Sequence, residues 1–222
     1  MTAEVAYVVR YRAGRAAWLR DLLYAVAGQV QPVAANILVD GDAVAGQDEA
    51  KEVAQRMGDL VEAGIVEGSS LREALASVRA PYCSVMEDVD IPYPPQAAVL
   101  SAALRAQPAA GGARGLGYMV RGQIRDGVYV AMDKQRWDIS RSDGTLVLGA
   151  FMFRTEVLHE AAQSGILESP VDTWEAALGR LASAPGVATV DARVAERRLP
   201  PESAARIQPG GSRRGFRAAL EA

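Results

Sequence analysis

The chain has 222 residues, is 50% hydrophobic and 23% charged, and carries a formal charge of −3. That is an ordinary globular composition, which excludes collagen-like, disordered and disulfide-scaffold classes. Cys83 has no second cysteine to pair with, and no CxxC or Cys/His cluster exists, so zinc-finger, iron–sulfur and thioredoxin-like classes are excluded as well. No stretch approaches the ~20 apolar residues of a membrane span. The start MTAEVAYVVRYR has an acid where a signal peptide needs a basic flank. The expectation is a cytoplasmic protein with no transmembrane segment.

Of the 24 basic residues only Lys51 and Lys134 are lysines, and 41 residues are alanine, the bias of a GC-rich genome. Residues 1–110 hold 9 basic and 14 acidic side chains, against 15 and 13 in residues 111–222. An acidic start is therefore followed by a basic end. A nucleic-acid binder shows a clustered basic face on a basic domain, so nucleic acid is not an expected partner.

The first hundred residues alternate β-branched runs with amphipathic ones. Val5–Val9 reads as a buried strand, and Ala16–Gln29 places Trp18, Leu19, Leu22, Leu23 and Val26 at helical spacing. Asn36–Val39 is the second strand, Asp48–Ala63 a helix, Gly64–Val66 a short strand and Ser70–Val78 a helix capped by Ser69 or Ser70. Tyr82–Met86 is a strand that runs into Asp88-Val89-Asp90, and Pro95–Gln107 is a Pro-initiated helix. Four strand–helix units in series imply a mostly parallel sheet covered on both faces.

After the Gly/Ala-rich break Pro108–Gly117 the pattern changes. Gly117–Arg125 and Val128–Asp133 flank the turn signal Asp126-Gly127, and a second Asp-Gly at 143–144 precedes the strand Thr145–Phe153. These are antiparallel candidates. Helices Glu156–Gln163 and Asp172–Ala182 follow, then a strand Val187–Val194 and an Arg/Gly-rich tail.

Ligands of open parallel sheets bind at the carboxyl ends of the strands. Those ends carry Arg10-Tyr11-Arg12, Asp40-Gly41-Asp42 and Asp88-Val89-Asp90. In an extended strand Asp88 and Asp90 face the same side, where their oxygens suit a hard divalent cation. A solvated loop is the plainer reading of an Asp-x-Asp; the apolar strand before it and Pro92, Pro94 and Pro95 after it favour the site.

The order VAYVVRYRAGRAAWLRDLL, ILVDGD, SSLREALASVRAPYCSVMEDVDIPYPP, LVLGAFMFRTEVLHEAAQSGIL and SPVDTWEAALGRLA resembles family 2 glycosyltransferases of the GT-A fold, over about residues 5–200. The resemblance implies one α/β, GT-A-like domain over residues 1–200, with a mostly parallel central sheet and an antiparallel acceptor-side portion. Residues 1–110 would be the nucleotide-binding half, 111–200 the acceptor half and 201–222 the tail. It implies a metal-dependent, inverting transfer of sugar from a nucleotide-diphosphate donor to a saccharide or other hydroxyl acceptor.

By the same resemblance Tyr11 and Arg12 begin the nucleotide pocket, Asp40 or Asp42 recognises the base and Arg72 faces the diphosphate. Asp90 holds Mg²⁺ or Mn²⁺, with Asp88 on the ribose side. The metal would neutralise the departing diphosphate. An inverting transfer needs a carboxylate to take the acceptor proton. Asp172 stands in that place and Glu175 is its runner-up; Asp172 as a helix N-cap is the alternative. Trp137 and Trp174 fall on the acceptor side, where sugar stacking and core packing both stay open.

Two departures qualify the resemblance. An acidic pair before the base is replaced by Ser169-Pro170-Val171, and Leu199 stands where a metal-ligating His is common. The metal is then held by Asp90, diphosphate and water alone, or turnover is weak, or Arg197 and Arg198 take over neutralisation. His159 and Cys83 read as structural, Trp18 as core. The tail Arg206–Arg217 reads as a solvated end, with closure on the donor or peripheral membrane contact as alternatives. Two other functions stay open: a sugar-phosphate nucleotidyltransferase, for which Arg12-Ala13-Gly14-Arg15 is a faint phosphate loop, and a catalytically silent GT-A-like binding module.

Overall fold

Strand β1 (Val5–Arg12) is buried along nearly its whole length, because alternate residues pack against helices on both faces of the sheet. The computed structural model describes residues 3–40, 43–66, 70–125, 128–136, 147–165, 174–183 and 186–199. After β1 come α1 (Ala16–Ala27), β2 (Val33–Asp40), α2 (Ala43–Arg56), β3 (Glu62–Ile65), α3 (Leu71–Ser77), β4 (Tyr82–Glu87), β5 (Asp90–Pro92) and α4 (Gln96–Ala106). Then follow β6 (Gly112–Arg125), β7 (Val128–Arg136), a 3-10 turn Leu148–Ala150, β8 (Phe151–Arg154), α5 (Thr155–Gln163), α6 (Trp174–Ser183) and β9 (Val187–Leu199).

The sheet runs β3-β2-β1-β4-β8-β6-β9-β5, with β7 also on β6. The block β3-β2-β1-β4 is parallel throughout, as strand–helix alternation requires. Strand β8 joins it antiparallel to β4. β6 is 14 residues long, so its start pairs with β8 and its remainder with β7, both antiparallel, while β9 runs parallel along its other flank. The fold is mixed α/β, with helices flanking a large sheet.

Local chemistry explains the elements. Leu19, Leu22, Leu23 and Val26 form the buried stripe of α1. Ser70 caps α3 through a capping box: its Oγ accepts the Glu73 N–H at 3.2 Å while Glu73 Oε2 accepts the Ser70 N–H at 3.0 Å. Among the described residues no helix is long and apolar enough to cross a membrane.

Five expectations change. The Gly/Ala-rich segment is strand from Gly112 onward, because its glycines admit crossing side chains: a Cβ on Gly112 would lie 2.9 Å from the Phe153 ring, and one on Gly115 2.6 Å from Val194. The apolar run before Phe153 contains the 3-10 turn, and only Phe151–Arg154 is strand. β9 continues to Leu199, so the basic run 196–199 is sheet. Helix α2 ends at Arg56, where Met57–Leu60 turn back on it. Trp18 is half-buried, with its ring edge-on to Tyr129 at 5.2 Å rather than inside the core.

Candidate functional site

The carboxyl ends of β1 and β4 lie side by side, with Arg10 in register with Glu87. Glu87 is buried and takes three guanidinium partners: Arg10 Nη1 at 3.1 Å, Arg12 Nη2 at 3.7 Å, and Arg197 of β9. Burial pushes the Glu87 carboxyl up, but Arg197, Arg12, Arg10 and Arg15 together outweigh it and hold the group below its ordinary range.

Asp88 and Val89 form a turn between β4 and β5, so the Asp-x-Asp is not an extended strand. Asp88 Oδ2 accepts the Arg12 backbone N–H at 3.0 Å, and Oδ1 lies 3.4 Å from Arg15 Nη1. Burial pushes the Asp88 carboxyl up to about 6, only partly offset by that N–H and by Arg15. Asp90 Oδ2 accepts the Glu87 N–H at 3.0 Å, which pins the turn. The Arg198 N–H donates to Val89 O at 2.9 Å, so β9 closes the turn from the other side.

Mg²⁺ or Mn²⁺ was expected on Asp88 and Asp90. Both are buried: Asp88 is engaged by the Arg12 N–H and the Arg15 guanidinium, Asp90 Oδ2 by the Glu87 N–H, and Arg10, Arg12 and Arg197 pair with the neighbouring Glu87. Among the described residues no group of three His, Cys, Asp or Glu is arranged to hold a metal ion. Asp90 Oδ1, buried and accepting no hydrogen bond, is the oxygen of this pair that suits a hard divalent cation.

The remaining candidates divide. Arg12 sits at the strand-end edge and stands in register with Asp40, the last residue of β2. Tyr11 is fully buried and spends its hydroxyl on Glu49, so its ring offers no open face to a nucleotide. Glu49 also accepts the Gly14 N–H at 2.8 Å. The Gly14 N–H is thus spent on a carboxylate, unlike the phosphate cradle a nucleotidyltransferase needs. Asp42, Trp137 and Asp172 lie outside the described residues; Trp174 and Glu175 open helix α6.

Arg72 lies elsewhere, on a groove of about 390 Å³ between α3 and α5 lined with Ala76, Arg79, His159, Ala162 and Gln163. None of the strand-end cluster lines it. His159 donates its Nε2–H to Leu75 O at 2.8 Å, capping the end of α3, and Cys83 is buried with its thiol pushed up to about 12. Glu87, Arg10 and Arg197 were missed as a buried ion cluster; the only signal was an acid ending an apolar strand.

No family model matches the sequence, and no curated relative does. Solved structures are similar. S. aureus TarS 1-349 in complex with UDP-GlcNAc has a TM-score of 0.54 at 12% identity, over 88% of this chain and 58% of that one. The same TarS 1-349 in another crystal structure gives 0.57 at 14% identity, over 97% and 69%, and its complex with UDP gives 0.56 at 12%, over 98% and 69%. This chain therefore spans little more than half the length of the first. At such identity the likeness is one of fold, and the fold is GT-A-like.

Proposed function

We propose that the chain is a nucleotide-sugar glycosyltransferase, akin to family 2, that moves a sugar from a nucleoside-diphosphate donor to a hydroxyl acceptor. The observation that carries this reading is the cluster of guanidinium and carboxylate groups at the carboxyl edge of a GT-A-like sheet, where an open α/β sheet receives its ligand. The TarS structures hold UDP-GlcNAc and UDP, which supports a uridine diphosphate donor here.

In the inverting form of the reaction the acceptor oxygen attacks the anomeric carbon from the face opposite the donor phosphate. The bond from that carbon to the phosphate oxygen breaks, and the diphosphate leaves with the electron pair. The acceptor proton passes to a carboxylate, for which Asp172 is our first assignment and Glu175 our second. Asp40 or Asp42 takes the base, and Trp137 and Trp174 lie toward the acceptor.

The test is nucleotide release from UDP-, GDP- and dTDP-sugars, followed with and without simple saccharide acceptors. One donor should turn over, and Asp172→Ala should remove turnover while leaving UDP binding intact. Unchanged turnover in that variant moves the base to Glu175, and no turnover or binding with any donor refutes the reading.

A further inference from the structure

We propose that Gln96 is a positioning residue for the strand-end site, holding the 3-10 turn Leu148–Ala150 in place against Asp90. This rests on the glycosyltransferase reading and deepens it. Asp90 opens β5 and Gln96 opens α4, and both meet Gly149 in the middle of the turn. The Gln96 Nε2–H donates to Gly149 O at 2.9 Å. A Cβ placed on Gly149 would lie 3.6 Å from the Asp90 Cβ and 3.1 Å from that of Ala195 on β9. The turn is therefore the backbone wall beside Asp90.

A short turn set among strands has carbonyls outside the ladder, and a buried carbonyl left unpaired is costly. Gln96 is fully buried and answers this for Gly149. Its Nε2 also reaches Ser84 Oγ at 3.4 Å, and that hydroxyl donates to Phe151 O at 2.6 Å, just beyond the turn. Gly149 O can only accept, so the amide nitrogen must face it, which leaves Oε1 to the Tyr7 hydroxyl. Burial pushes the Tyr7 phenol above its ordinary range and keeps it a donor. The amide thus has one orientation, and the turn one seat. An apolar side chain of similar size would fill the space without directing the turn, so what the amide adds is placement. Rate is sensitive to placement, since a shift of about 1 Å in a positioned group costs up to about a hundredfold.

Steady-state turnover of the UDP-, GDP- or dTDP-sugar that the full chain uses, together with urea unfolding of each variant, tests this. Gln96→Leu should lower kcat about tenfold or more and leave KM for the donor within about twofold. Tyr7→Phe strands only Oε1, which has no tie to the turn. It should lose stability as Gln96→Leu does, yet keep kcat within about twofold of the parent. Gly149→Ala leaves the Gln96 hydrogen bond in place but crowds Ala195, so the turn must shift; it should lower kcat too, and it decides the matter if Gln96→Leu does not fold. Parental kcat in Gln96→Leu, or in Gly149→Ala where that variant decides, overturns the proposal. A loss confined to KM overturns it as well, and so does an equal fall of kcat in Tyr7→Phe, which marks the network as structural alone. In each of these cases a parent that turns over its donor leaves the glycosyltransferase reading standing. A parent that turns over no donor refutes that reading and the positioning role together.

Discussion

Arg197 and Arg198 are adjacent on β9, yet they belong to networks with different physics. A strand sends successive side chains to opposite faces. Arg197 goes inward to Glu87, which also holds Arg10, all three nearly shielded from water. Glu196 and Arg198 go the other way, toward Lys134, Tyr93 and Asp21: Lys134 Nζ lies 3.0 Å from Glu196 Oε2, the Tyr93 hydroxyl donates to that oxygen at 2.7 Å, and Lys134 is 41% exposed. The inner network cannot lose a partner cheaply, because each remaining charge would be left without water. The outer one is partly solvated, so water replaces what is lost.

The sharpest test removes one arginine from each side. Arg197→Ala should cost about 3–5 kcal/mol in urea unfolding, and Arg198→Ala about 1 kcal/mol or less. Equal losses would erase the distinction. In a double-mutant cycle Glu87→Gln should cost less in the Arg197→Met background than alone, because it then strands Arg10 and Arg12 but no longer Arg197.

Acidity separates neighbours within the inner network. Asp88 has a folded pKa raised from 3.8 to about 6, so its penalty is full above pH 6 and vanishes as pH falls toward 4. Asp88→Asn should therefore stabilise the protein at pH 8, by up to about 3 kcal/mol, with the gain fading between pH 6 and 4. Glu87 has the opposite sign. Its pKa is depressed, so its contribution is present above its ordinary value of 4.5 and is lost as pH falls through the folded value. Thermal melts of Asp88→Asn and Glu87→Gln across pH 3–8 should diverge from the parent in opposite directions.

Smaller effects probe the outer network. At about 1 M salt the screening length shrinks to about 3 Å, so the Arg198→Ala deficit should fade while the Arg197→Ala deficit persists. Lys134→Met should cost under about 1 kcal/mol. Its ammonium lies 4.8 Å from the Tyr93 ring centre and 4.9 Å from that of Tyr118, and a change in tyrosine fluorescence should accompany the substitution.

What could be read from the residues follows the same divide. The parallel half was legible because Val5–Val9, Leu19–Val26 and Tyr82–Met86 show their periods openly and Ser70 announces a helix start. Gly112 and Gly115 misled because glycine signals both a break and a close approach, and only the positions of Phe153 and Val194 decide between them. Asp88-Val89-Asp90 was found by pattern, but its conformation depends on the Arg12 and Arg198 N–H groups, from segments 76 and 109 residues away from Asp88 and Val89. Glu87 went unnoticed because its partners are distant in sequence and nothing local marks it. Which of Arg197 and Arg198 turns inward was equally hidden while the strand was read as ending at Val194.

The pairing of β5 with β9 brings Asp90 against Arg197 across nearly half the chain. Loop closure over such a separation is slow compared with forming the parallel block. Until it happens, Glu87 lacks Arg197 and the turn lacks the Arg198 N–H. Ligand competence should thus be among the last properties gained on refolding, later than most secondary structure. A nucleotide present during refolding would capture finished molecules without speeding their formation.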